Sequence, residues 1–321
     1  MQLLHLKLVS MNKLKIGIVG SHGFIGKSLV KNLEKNPLIS ELHLFSRSIE
    51  INNQPSTYVF EHRFELSNKK LIIPKALFEI EVLYYLISDS IPSMSWDNPT
   101  KELSNNLIPF INLIEKIKIG KIQKIIFTSS AGTIYGPSWK KTGENGFKNP
   151  FSPHGITKLT TEYFLEYFKN KHKINYSIFR ISNIYGPGQN IQKGLGLVNT
   201  ILEKHLRNEE VLIYGDGSII RNYIYIDDVV DILSQDLSQK INESKIVNLA
   251  TSFHLTINEI ITIIEDVTNK KIKKTHLKSR SADNPVIRLD NSKLIEIFPS
   301  FMNTPLKKGI SKTLKILQNE L

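Results

Sequence analysis

An apolar run, Leu14 to Val19, leads straight into Gly20-Ser-His-Gly23-Phe-Ile-Gly26, and apolar residues at helical spacing follow from Phe24 to Leu33. No other stretch restricts the possible folds so strongly. A buried strand that ends on glycine and turns at once into a helix has three uses for that residue. The first glycine permits the tight turn, the second lets an anion approach the backbone, and the third lets the helix pack on the strand. The helix start offers unpaired N–H groups and the positive end of its dipole. The segment therefore reads as a pyrophosphate cradle, with Gly20, Gly23, Phe24, Ile25 and Gly26 as its contacts. The competing reading is a glycine-rich turn that binds nothing, which the flanking strand and helix disfavour.

The rest of the chain continues this pattern. Strand-like runs recur at Leu42–Phe45, Val82–Ile87, Ile122–Phe127, Tyr176–Ile181 and Lys245–Leu249, and helical periodicity at Leu103–Ile117 and Thr157–Phe168. Strands alternating with helices predict an α/β fold, a Rossmann-type doubly wound parallel sheet with right-handed crossovers. The later part is less regular. It has a loop over Gly186–Gly196, helices over Asn199–Arg207, Ile257–Asp266 and Lys308–Leu317, a turn at Tyr214–Ser218 and a short strand at Asn222–Ile226. This predicts a smaller, interleaved C-terminal substrate domain. The expected division is a dinucleotide-binding Rossmann domain over 11–182, with 222–250 returning to it, and a substrate-binding domain over 183–221 and 251–321.

Composition removes several function classes. The absence of cysteine excludes structural disulfides and thiolate zinc sites, and nine histidines without a paired metal-ligand spacing give no support to a metal site. The formal charge of +12 comes mainly from lysines spread along the chain, so solvated lysine faces explain it better than a nucleic-acid surface. A positive field also suits a small anionic substrate. Met1 to Ser10 lacks the small-residue cleavage site of a signal peptide and is expected to be a start-site artefact or a frayed arm. No apolar run reaches the roughly 18 residues of a membrane span. The expected location is the cytoplasm, with no membrane and no nucleic-acid partner.

The end of the second strand bears on the choice of dinucleotide. An acidic residue there binds the ribose 2′-hydroxyl of NAD, whereas arginine accommodates the 2′-phosphate of NADP. Leu44-Phe45-Ser46-Arg47-Ser48 has no acid. NAD(P), leaning toward NADP, is therefore expected, with Ser46 and Arg47 as phosphate ligands. If Arg47 is only a surface residue, NAD remains.

Five further segments carry a family resemblance. Phe151-Ser-Pro-His-Gly-Ile-Thr-Lys158 resembles the catalytic-helix entry Ser-Pro-Tyr-Gly-x-Ser-Lys of the extended short-chain dehydrogenase/reductases, with His154 in place of the tyrosine. Ile125-Ile-Phe-Thr-Ser-Ser-Ala-Gly-Thr-Ile-Tyr-Gly136 resembles their active-site strand and turn, with Ala131 at the catalytic Ser/Thr position and no Asp-Glu pair of the 4,6-dehydratases. Arg180-Ile-Ser-Asn-Ile-Tyr-Gly-Pro-Gly-Gln189, the run Tyr214 to Asp228, and Arg280-Ser-Ala-Asp283 resemble motifs of the nucleotide-sugar branch, the NAD-dependent epimerases and dehydratases similar to UDP-glucose 4-epimerase. The resemblance covers nearly the whole chain from Lys13.

That resemblance implies roles residue by residue. Lys158 and Leu86 join the cofactor contacts. Asn183 and Arg221 bind the nucleotide diphosphate, Arg221 through a guanidinium suited to paired phosphate oxygens, and Arg280 and Asp283 hold the nucleotide from the far side. Asn222 stands where the family has aspartate, an exchange expected to loosen a supporting contact. His154 becomes the acid/base, assisted by Lys158 and by a hydroxyl from Ser130 or Thr133. The implied activity is an NAD(P)-dependent nucleotide-sugar 4-epimerase working on a nucleotide-diphosphate sugar, with a 4-ketoreductase as the alternative. A third reading, of another class, is a catalytically degenerate cofactor- and sugar-nucleotide-binding protein. Family members pair through two helices, here Leu103–Ile117 and Thr157–Phe168, so a homodimer is expected.

Overall fold

The computed structural model describes residues 13–49, 57–67, 71–88, 95–191, 196–279 and 285–320. Met1–Ser10 and the expected nucleotide contacts Arg280 and Asp283 lie outside these residues. The described chain forms two compact units. The first comprises residues up to Ser129 with Pro153–Phe179 and Val230–Ile246, and the second Ser130–Ser152, Arg180–Val229 and Val247–Leu321.

A sheet of seven strands organises the first unit. In chain order these are β1 (Leu14–Val19), β2 (Ile39–Ser46), β3 (Val59–Arg63), β4 (Val82–Tyr85), β5 (Lys124–Ser130), β6 (Asn175–Ile181) and β7 (Lys245–Leu249). The spatial order is β7-β6-β5-β4-β1-β2-β3, and β1 pairs in parallel with both β2 and β4. The chain therefore winds outward from β1 in both directions, which is the Rossmann-type arrangement. It creates a switch point between β1 and β4, where ligands of such sheets bind beyond the strand carboxyl ends. The ends are closely tied there. Leu86 N–H donates to Val19 O at 3.0 Å, and Gly20 N–H donates to Phe45 O at 3.1 Å.

Ile16, Ile18 and Val19 are buried on both sides of β1, as expected for a covered parallel strand. The helix α1 (Phe24–Leu33) follows, burying Gly26, Leu29 and Leu33 at helical spacing. Before β5 the chain makes a short helix, α2 (Pro99–Glu102), one wider turn of π-helix over Leu103–Leu107, and α3 (Ile108–Ile117). Pro99 opens α2 with Asn98 as its cap, the Asn98 side chain accepting from Lys101 N–H at 2.9 Å. The helix expected from Leu103 thus begins a turn earlier and carries a wide turn that periodicity did not reveal. On α3, Phe110, Leu113, Ile114 and Ile117 face the core. The Phe110 ring packs edge-on against Tyr85, with centroids 5.0 Å apart. Truncating such a side chain to alanine costs about 3–5 kcal/mol. After β5 the first unit resumes with α4 (Pro153–His172), which starts four residues before the expected Thr157 and so contains His154 in its first turn.

Within the second unit, Asn183–Tyr185 pairs in parallel with Ile220–Tyr225, which pairs antiparallel with His254–Thr256. Two small parallel pairs join Val211–Tyr214 to Lys274–Leu277 and Ser138–Thr142 to Ile287–Leu289. Helices at Leu197–Leu206, Ile257–Thr268 and Leu306–Glu320 complete it. The helix Ile257–Thr268 starts at a capping box in which the Thr256 hydroxyl and the Glu259 carboxylate each satisfy the other's backbone N–H. No helix among the described residues is long and apolar enough to cross a membrane.

Candidate active site

The glycine segment adopts the backbone that its spacing demanded. Gly20 has φ +93°, a region costly for other residues, and a Cβ at Gly26 would sit 2.2 Å from Gly20 O and 2.6 Å from Ser21 O. The third glycine thus lets α1 press onto the turn. A Cβ at Gly20 would meet Leu86 and Ile87 backbone at 3.3 Å, so the turn abuts the chain leaving β4. This surface is backbone-lined at a helix N-terminus and at the sheet's switch point, and it fits a dinucleotide. Ser46 closes β2 and its hydroxyl donates to Ser48 O, while Arg47 is exposed just beyond the strand.

Within the same unit, α4 brings His154 and Lys158 onto one face, a helical turn apart. Lys158 Nζ donates to Thr128 O at 3.0 Å and lies 4.8 Å from the centroid of Phe127. Burial pulls its ammonium down to about 8, against the raising influence of the Glu102 and Glu162 carboxylates. His154 is buried, and its backbone N–H donates to Ser95 Oγ at 3.2 Å. Burial holds the imidazole below its ordinary value, Glu102 raises it and Lys158 lowers it. No motif in the sequence points to the Glu102 influence. Glu102 Oε1 lies 3.5 Å from His154 Nδ1, with both side chains almost fully enclosed. A second carboxylate missed by sequence reasoning is Glu162, a buried residue that accepts the Ser129 hydroxyl at 2.7 Å.

The second unit contains the other expected groups. Ser130 ends β5, and Ala131 opens a short helical turn that also holds Thr133. Ala131 is wholly buried, and the buried Thr133 hydroxyl has no hydrogen-bond partner among the described residues. Asn183 is exposed, and its amide donates to Asn222 O at 2.8 Å. Arg221 lies on the neighbouring strand and donates from Nη1 to Ile220 O at 2.8 Å. The expected loosening at Asn222 is not found. Its amide nitrogen donates to Thr251 O at 2.8 Å, Thr251 Oγ1 at 3.1 Å and Phe253 O at 2.7 Å, and its oxygen accepts from Thr251 N–H at 3.1 Å. An amide can both donate and accept, so it ties the strand to the following loop where a carboxylate would only accept.

The family model described as the NAD dependent epimerase/dehydratase family matches residues 16–250, which include the glycine cradle, His154, Lys158, Asn183 and Arg221. The chain belongs to the NAD-dependent epimerase/dehydratase family. It is similar to a UDP-glucose 4-epimerase of Mycolicibacterium smegmatis, 27% identical over 94% of this chain and 98% of that protein. It is also similar to a dTDP-4-dehydro-6-deoxyglucose reductase of Escherichia coli, 30% identical over 79% of this chain and 82% of that one. A solved UDP-glucose 4-epimerase with UDP-glucose from Thermotoga maritima superposes with a TM-score of 0.83 at 25% identity, covering 96% of this chain and 99% of the other. As a member of the epimerase/dehydratase family, the protein is an enzyme of nucleotide-sugar chemistry. His154 and Ala131 are where it departs from the catalytic motif of its extended short-chain dehydrogenase/reductase relatives.

Proposed function

We propose that the chain is an NAD(P)-dependent nucleotide-sugar 4-epimerase in which imidazole replaces phenol as the acid/base. The observation that supports this most is the enclosed pair on α4. His154 is buried in the first turn, and Lys158, one turn on, is fixed to Thr128 O at 3.0 Å. When bound, the nicotinamide supplies reversible hydride acceptance at sugar C4. The cradle Gly20–Gly26 with Leu86 holds the pyrophosphate end, Ser46 and Arg47 take a 2′-phosphate, and Lys158 binds the nicotinamide ribose hydroxyls. His154 takes the proton from the sugar 4-hydroxyl and returns it. Its depressed basicity keeps the imidazole neutral and ready to accept at pH 7. Thr133, whose buried hydroxyl has no partner among the described residues, is the better hydroxyl donor of the two candidates, and Ser130 is the other. Asn183 and Arg221 grip the nucleotide diphosphate, and Arg280 and Asp283 hold the nucleotide from the far side. The active form is a homodimer.

A 4-ketoreductase is the second reading, favoured by the missing acid after β2 and by the resemblance to the E. coli reductase. The buried, hydroxyl-free Ala131 favours a third, a binding protein without turnover. One panel separates them. Purified protein retaining NAD and interconverting a UDP-, GDP- or dTDP-sugar supports the epimerase. NADPH consumption with a 4-keto sugar supports the reductase. Ligand binding without either activity supports the third reading.

A further inference from the structure

We infer that Glu102 is a positioning residue for His154, fixing the proton on Nδ1 and stabilising the imidazolium that forms when the other ring nitrogen accepts a proton. This rests on the reading of His154 as the acid/base and adds to it a residue that no motif of the chain points to.

The geometry carries the assignment. Glu102 Oε1 faces His154 Nδ1 at 3.5 Å, and the two side chains are 1% and 8% exposed. A carboxylate so enclosed is costly unless it meets positive or donor groups. The backbone on both sides is held. His154 N–H donates to Ser95 Oγ at 3.2 Å, Glu102 N–H donates to Asn98 O at 3.2 Å, and the Asn106 amide donates to Glu102 O at 3.2 Å. Glu102 also lies at the junction of α2 with the wide turn Leu103–Leu107, and single π-turns inside helices occur frequently at functional sites.

A carboxylate that accepts from one imidazole nitrogen sets the tautomer and so leaves the other nitrogen as the base. The 3.5 Å separation is at the outer limit of a hydrogen bond and shortens when the ring becomes cationic. In the step itself the sugar hydroxyl proton passes to Nε2 of His154. Nδ1 keeps its proton and Glu102 stays ionised throughout, so no charge is created without a partner. The charged groups acting on this imidazole among the described residues are Glu102 from α2 and Lys158 from its own helix. They oppose each other, and Glu102 offsets part of the penalty that burial and Lys158 impose on the cation.

The test is imidazole NMR of the intact protein labelled with 15N and 13C at histidine, with His154 assigned by loss of its signals in His154→Gln. Wild type is expected to show the Nδ1–H tautomer. Glu102→Gln is expected to lower the His154 pKa by about one unit or more, to move the acid limb of the kcat profile to lower pH, and to reduce kcat at pH 7 about 10²-fold. Glu102→Asp is expected to recover part of that loss. An Nε2–H tautomer in wild type overturns the inference even if Glu102→Gln fails to fold, and so does a His154 titration unchanged by Glu102→Gln. Wild type that turns over no nucleotide sugar but shows the NMR shift upholds the pairing and refutes the acid/base reading instead.

Discussion

Lys158 Nζ donates to the carbonyl of Thr128 at 3.0 Å and lies 4.8 Å from the neighbouring Phe127 ring, so two adjacent residues of β5 hold the cation of α4. The lysine gains a fixed position and loses hydration. Its pKa of about 8, against an ordinary 10.5, means that the folded protein disfavours the charged form. Between pH 8 and 10.5 the unfolded chain retains a proton that the folded chain has lost, so this group's contribution to stability rises with pH across that window. Lys158→Met is expected to raise Tm at pH 7, with the gain shrinking as pH climbs past 8. The same variant should lose about 10²-fold or more in kcat. Calorimetry across pH, paired with turnover assays, checks both halves.

Replacing His154 by tyrosine tests whether imidazole works in its own right. The larger phenol enters an enclosed space beside Glu102, and the proton-accepting atom moves. His154→Tyr is expected to lower kcat at least tenfold, and His154→Gln about 10²-fold or more. A gain in turnover with tyrosine would mean that the native site is impaired.

At Gly26 a methyl group would collide with Gly20 O and Ser21 O, both rigid backbone atoms. Gly26→Ala is expected to destabilise the fold by about 1–3 kcal/mol and to weaken NAD(P) binding at least tenfold. Thermal melts and coenzyme titration measure the two effects separately.

Arg47 is exposed beyond β2 and contributes no buried packing. Arg47→Ala is expected to weaken NADP binding about tenfold, the scale of a charge-assisted contact of about 1.5 kcal/mol, and to leave NAD binding nearly unchanged. Equal losses for both coenzymes would refute a role in choosing between them.

The outward side of α4 carries Ile156, Tyr163 and Tyr167 at 47%, 64% and 41% exposure, spaced as one helical stripe, and α3 begins with the exposed Ile108. Under the homodimer proposal, Tyr163→Glu combined with Ile156→Glu yields monomers with intact far-ultraviolet dichroism. Light scattering behind a sizing column reads the outcome.

Much of this was legible in the sequence. The covered strands β1, β4, β5, β6 and β7 announce themselves as apolar runs, and the glycine turn fixes where the first helix starts. β3 was missed because an edge strand reading Val59-Phe-Glu-His-Arg63 is only partly covered and shows no apolar run. The early start of α4 was readable in principle, since proline at a first helical position is a start signal. Glu102 was not readable, because its relation to His154 exists only once α2 and α4 pack together.

The wide turn at Leu103–Leu107 amounts to one surplus residue threaded into a helix. Each residue advances a helix by about 100°, so removing one from this turn would restore a regular spiral and swing Glu102 to another side of the axis. The loss would leave length, composition and coenzyme cradle almost untouched. If Glu102 positions His154 as proposed, that pairing depends on a helix being wound one residue out of phase.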